Sequence, residues 1–135
     1  MKKQIWMIAV MGLLAGCGAA SLQELQSKPL ATHQFDVPIS YGSAYSRIAF
    51  AARECYLSNG PAASWLVEAD LQPNLVRGDV TITMTNFGRR YYAAIQIVPK
   101  DETTAHVTVL TALESLQPLG ADAERWANGD VTCHK

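Results

Sequence analysis

The chain is expected to fold as one α+β domain in which an antiparallel sheet of four to five strands packs on a single long helix. Three observations predict this. Tyr41 to Tyr56 carries an apolar stripe at helical spacing behind a capping serine. Four segments between Ser64 and Ala112 alternate apolar and polar residues, and short connections join them. A length of 135 residues suits one core rather than two. The expected order is β-α-β-β-β-β-α.

The first strand lies in "QFDVPIS", where Phe35, Val37 and Ile39 alternate around Pro38, a residue tolerated at a sheet edge. Ser40 is suited to cap the helix that follows, with Tyr41, Ala44, Tyr45, Ile48, Ala52, Cys55 and Tyr56 on one face. Ser43, Arg47 and Glu54 fall largely on the other, and the Asn-Gly-Pro of "SNGPAAS" ends the helix.

Next, "SWLVEADL" sets Trp65, Val67, Ala69 and Leu71 against Glu68 and Asp70, and "GDVTITMT" sets Val80, Ile82 and Met84 against Thr81, Thr83 and Thr85. "RRYYAAIQIV" carries Tyr91, Ala93, Ile95 and Ile97 on one face; "TAHVTVLTA" carries Ala105, Val107 and Val109 opposite His106, Thr108 and Leu110. The links "TNFGR" and "PKDETT" are short enough for hairpins. Such a meander needs an apolar cover, and the long helix is the element that can supply it. "ADAERWANGD" reads as a short closing helix with Trp126 as its packing anchor and Asn128-Gly129 as its stop.

The start of the chain has a different character. Lys2 and Lys3 precede the uncharged run "IWMIAVMGLL", which is shorter than the ~20 residues a spanning helix requires. A basic start, a short apolar run and small residues before a cut site make an export signal. Leu14-Ala15-Gly16-Cys17 resembles the lipobox of bacterial lipoprotein precursors and matches it at all four positions. The resemblance implies that residues 1–16 are removed and that Cys17 becomes a diacylglyceryl-modified, N-acylated first residue. The partner it implies is a membrane, reached through lipid rather than through a spanning helix. Gly18, where an aspartate would resemble an inner-membrane retention signal, implies the periplasmic face of the outer membrane, with the inner membrane as the alternative. Residues 17–33 are then expected to form the lipidated cysteine and a flexible tether, and 34–135 a single domain facing the periplasm.

Export bears on the remaining cysteines. With Cys17 acylated, Cys55 and Cys133 are left as a pair in an oxidising compartment, and a disulfide between them is expected. The competing chemistry is a zinc site from Cys55, His106, Cys133 and His134, whose spacing lacks the short ligand pairs of structural zinc. No cofactor or metal is expected. The formal net charge of −1 becomes more acidic once Lys2 and Lys3 are removed, which argues against nucleic acid as a partner.

Candidate binding residues are Arg89, Arg90 and Tyr92 in the "RRYY" run, where guanidinium forks and a tyrosine face could meet an anionic group or another envelope protein. The same arginines could instead solvate a hairpin while one tyrosine enters the core. Tyr41, Tyr45 and Tyr56 would line a groove if the helix stood off the sheet, and would belong to the core if it did not. His33, His106 and His134 are dispersed and no catalytic residue is assigned, so an enzyme is not expected.

The element order from Phe35 to Asp130 resembles the helix-grip architecture of small domains in the lipoprotein component of the outer-membrane β-barrel assembly machinery. That resemblance implies a periplasm-facing interaction module. The expected function is a non-catalytic binding or scaffold lipoprotein; the alternative is a carrier holding a small or lipidic ligand between helix and sheet.

Overall fold

The computed structural model describes residues 18–59, 64–85 and 88–133; the export signal, Cys17 and His134 lie outside the described residues. In chain order the elements are α1 (Leu22–Ser27), β1 (Ala31–Val37), α2 (Tyr41–Tyr56), β2 (Ser58–Asn59), β3 (Ser64–Gln72), β4 (Arg77–Thr85), β5 (Arg89–Pro99), β6 (Ala105–Thr111) and α3 (Leu119–Ala127). The strands form one antiparallel sheet in the order β1-β6-β5-β4-β3-β2. Five are long, in keeping with the four to five expected, and β2 is a two-residue addition at the edge. The α+β class and the helix laid across an antiparallel meander are as the sequence predicts.

Ser40 caps α2, its hydroxyl accepting from the Ser43 backbone N–H at 3.2 Å. The helix then lays Ala44, Ile48, Ala51 and Ala52 into the core. Small residues on that stripe let α2 approach the branched side chains of the sheet, where Val80, Ile82, Ile95, Ile97, Val107 and Val109 are buried. Burying each side chain of this kind contributes roughly 1.5–3 kcal/mol. Tyr41, Tyr45 and Tyr56 pack against this core.

Strict alternation fails at one position in β5. Ile82 faces Ala93 and Thr83 faces Tyr91, which leaves Tyr92 as the extra residue of a β-bulge. Tyr92 therefore turns into the main core beside Trp65, with ring centroids 5.2 Å apart, while Tyr91 goes to the opposite face. The sequence pattern placed Tyr91 on the core side; the inserted residue reverses the pair.

The expected flexible tether is corrected over residues 18–33. Ser21 caps α1 by accepting from Glu24 N–H at 3.1 Å, and the Glu24 carboxylate accepts from Ala20 N–H at 2.9 Å. Leu25 is 0 % exposed, packed with Ala94 and Leu110 on the face of the sheet turned away from α2. His33 belongs to β1, which starts at Ala31. Two apolar side chains on the outer face, Ala94 and Leu110, need a cover, and the N-terminal segment provides it.

The C-terminal region closes the fold. α3 buries Trp126 completely, and Arg47 of α2 donates to the Ala127 carbonyl at 2.8 Å. Gly129, at φ 104°, supplies the left-handed turn that ends α3. Trp126 Nε1 and Arg125 Nη1 both donate to the Thr132 carbonyl, at 3.0 and 2.8 Å, and hold the tail beside α2. Cys55 and Cys133 are joined there as a disulfide with Cα atoms 5.4 Å apart. Both sulfurs are thereby occupied, and the zinc alternative loses two of its four ligands.

Two stability outcomes follow. Replacing Cys55 and Cys133 together by alanine releases a loop spanning 78 residues, worth about 4 kcal/mol in the chain-entropy account; urea unfolding should show that loss, and an unchanged midpoint would contradict the bridge. Leu25→Ala should cost about 2–5 kcal/mol, as for other fully buried leucines. A free tether would leave the urea midpoint where it was.

Candidate functional site

Among the candidate binding residues, the fold keeps Arg89 and Arg90 at one end of the sheet and withdraws Tyr92 from the surface. Tyr92 is 8 % exposed and packed in the core, so its place in a partner-binding patch is corrected. Arg89 opens β5 on the face away from α2, pairs with Glu68 of β3 and lies over the Tyr91 ring, its guanidinium carbon 5.4 Å from the centroid. The hydrogen bond it donates to Glu68 raises the Arg89 pKa and keeps it cationic. Arg90 is exposed beside Met84 on the other face, and among the described residues it has no ion-pair partner.

The start of the described chain meets the same end of the sheet. β6 stops pairing with β5 at Thr111 opposite Ala93, which leaves the flank of Tyr91 open. Ala19 fills it: Ala19 N–H donates to the Tyr91 carbonyl and Tyr91 N–H to the Ala19 carbonyl, each at 2.9 Å. Gly18 lies against Tyr91 and Tyr92 so closely that a Cβ there would stand 2.8 Å from both the Tyr91 carbonyl oxygen and the Tyr92 ring. Only glycine fits without moving the strand or the ring. Sequence reasoning missed this docking because one β-bridge and a six-residue helix leave no period to read.

A shallow pocket of about 220 Å³ lies between β1, β6 and the start of α3, lined by residues that include His33, Val109, Thr111 and Gln117. It is not the helix-to-sheet groove the carrier reading requires. His33 Nε2 stands 3.3 Å from Glu124 on α3. On the sheet's other face, the Asp36 carboxylate takes hydrogen bonds from Lys100 Nζ and His106 Nδ1, both at 2.6 Å. The ionised carboxylate only accepts, so Nδ1 carries the proton in this contact. Among the described residues no group of three or more His, Cys, Asp or Glu side chains is gathered to hold a metal ion, and no helix is long and apolar enough to cross a membrane.

Asp36 gives a pH signature. Its hydrogen bonds with Lys100 and then His106 hold the carboxyl below its usual 3.8. The folded state therefore favours the ionised form: the contribution is present above the unfolded value and is lost as pH falls through the lowered one. The difference in Tm between the native chain and Asp36→Asn should be greatest near neutral pH and should close below about pH 4. A difference constant across the acid range would show that the pair does not act through ionisation.

No protein-family model matches the chain, and no curated protein sequence matches it. Among solved structures the chain is similar to norcoclaurine synthase from Thalictrum flavum, in complex with dopamine and hydroxybenzaldehyde. The identity is 12 %, over 73 % of this chain and 83 % of that one, with a TM-score of 0.36.

Proposed function

We propose that the protein is a lipid-anchored lipoprotein of the bacterial cell envelope that acts as a non-catalytic binding or scaffold module. Acylation at Cys17 follows from the Leu14-Ala15-Gly16-Cys17 motif and its basic, apolar leader. The observation that carries the reading furthest is the position of the folded domain relative to that motif. Gly18, the residue after the proposed acylation site, is already packed on Tyr91 and Tyr92 of β5. The Cys55–Cys133 bridge supports export to an oxidising compartment. The side of the membrane is the periplasmic face of the outer membrane, on the strength of Gly18 following the cysteine.

A module of this kind acts through its surface. The helix-to-sheet space is occupied by α2 side chains and the three tyrosines pack on that core, which favours a scaffold over a carrier. The partner proposed for the surface is another envelope protein.

Metabolic labelling with an alkyne fatty acid tests the anchor. The native chain should incorporate the label and fractionate with outer membrane, whereas Cys17→Ala should remain an unlabelled precursor. Equal labelling of the two would overturn the assignment.

A further inference from the structure

We infer that the pocket between β1, β6 and the start of α3 binds a small organic carboxylate, with the Thr111 hydroxyl and the first turn of α3 meeting its oxygens and Ala31 and Val109 meeting its apolar part. This goes beyond the binding-module reading and stands whether or not Cys17 is acylated.

The floor of the pocket follows from strand register. Ala31 pairs with Thr111 and His33 with Val109, so these four side chains stand together on the face that carries α2. Gly120 of α3 comes down onto this floor. A Cβ there would stand 2.6 Å from the Cβ of His33, so any side chain at this position would push helix and strand apart. Gln117, just before α3, completes the wall. At about 220 Å³ the space is smaller than the ~300 Å³ at which pockets for drug-sized ligands begin. With ~30 Å³ per water in the liquid, it has room for roughly seven waters or one compact molecule.

The polar groups of the wall lack partners. Thr111 is 2 % exposed, and its Oγ1 makes no hydrogen bond among the described residues. A buried hydroxyl in that state is destabilising until a partner reaches it. One rotation about χ1 exchanges hydroxyl and methyl, and no hydrogen bond holds the side chain in either place. α3 follows Pro118, which has no N–H and makes no side-chain cap. The Leu119 and Ala121 N–H groups of its first turn find no backbone acceptor among the described residues. An uncapped helix start carries partial positive charge and suits an anion. The Gln117 carboxamide adds two more N–H donors. Hydroxyl, carboxamide and helix amides can all donate, which favours a ligand oxygen that bears negative charge. Asp122, in the same turn, is already paired with Arg125 at 2.8 Å. Glu124, 3.3 Å from His33, is held by that imidazole and is the charge the ligand has to overcome.

Amide chemical shifts of the isotope-labelled full-length protein in detergent micelles test this, in a titration with sodium benzoate at constant ionic strength and a second with benzamide, its uncharged isostere. Benzoate should produce saturable shifts at Thr111, Gln117 and Gly120, with a Kd on the order of millimolar for a ligand of that size. Benzamide should bind several-fold more weakly. Thr111→Val keeps the shape and removes the hydroxyl; it should weaken benzoate several-fold while Tm stays the same or rises. Absence of saturable shifts at the three amides would overturn the site. Benzamide binding as tightly as benzoate would overturn the carboxylate as its ligand. An unchanged benzoate Kd in Thr111→Val, or a Tm lowered by that substitution, would overturn the part given to the hydroxyl.

Discussion

The structure depends on β5 being buried on both of its faces. Its Ala93, Ile95 and Ile97 meet α2 across the main core, while Ala94, one residue out of phase, meets Leu25 of α1 with Leu110 beside it. A central strand that must be covered twice fixes what the rest of the chain has to do. α2 is rich in alanine so that it can lie close to the first face. The segment before β1 must turn back across the second, and the bulge at Tyr92 lets the strand satisfy both faces where the helix cover runs out.

That constraint also settles how the termini are held. The N-terminal segment takes the flank of β5 that β6 leaves after Thr111, so it continues the sheet's hydrogen bonding instead of ending it. The C-terminal tail is clamped by Arg125 and Trp126 onto Thr132, which delivers Cys133 to the end of α2. Asp122, 4 % exposed, pairs with Arg125 through one oxygen at 2.8 Å and sits close enough to raise the Tyr56 pKa, after burial, by its charge. Both ends of the described chain are thus structural parts of a small domain, consistent with the limited core that such a length can build.

Much of this was legible in the residues. The cap at Ser40, the α2 stripe, four alternating strands, the Trp126 anchor and the pairing of Cys55 with Cys133 each arise from local patterning or from simple parity of cysteines. α1 was not legible as a helix, because six residues with two leucines give no period, and the small polar composition of 18–32 reads as linker. A signal was nevertheless present: Leu110 follows His106 and Thr108 on the outer face of β6, and Ala94 lies opposite it on β5, so an apolar pair there demands a cover. The bulge could not be read, since alternation holds on each side of Tyr92 and only the pairing with β4 shows the added residue. For the site, the sequence located the arginines but not the direction in which the fold turns them. It also gave Tyr92 a surface role that burial removes.

The central claim is that the segment from Gly18 to Ser27 is a docked part of the domain rather than a tether. Hydrogen exchange tests it most directly at the amides of Tyr91 and Leu25, which donate to Ala19 and Ser21. The account predicts protection of both that approaches that of the β5 centre. Exchange at the rate of an unstructured peptide would mean that this segment is a tether after all.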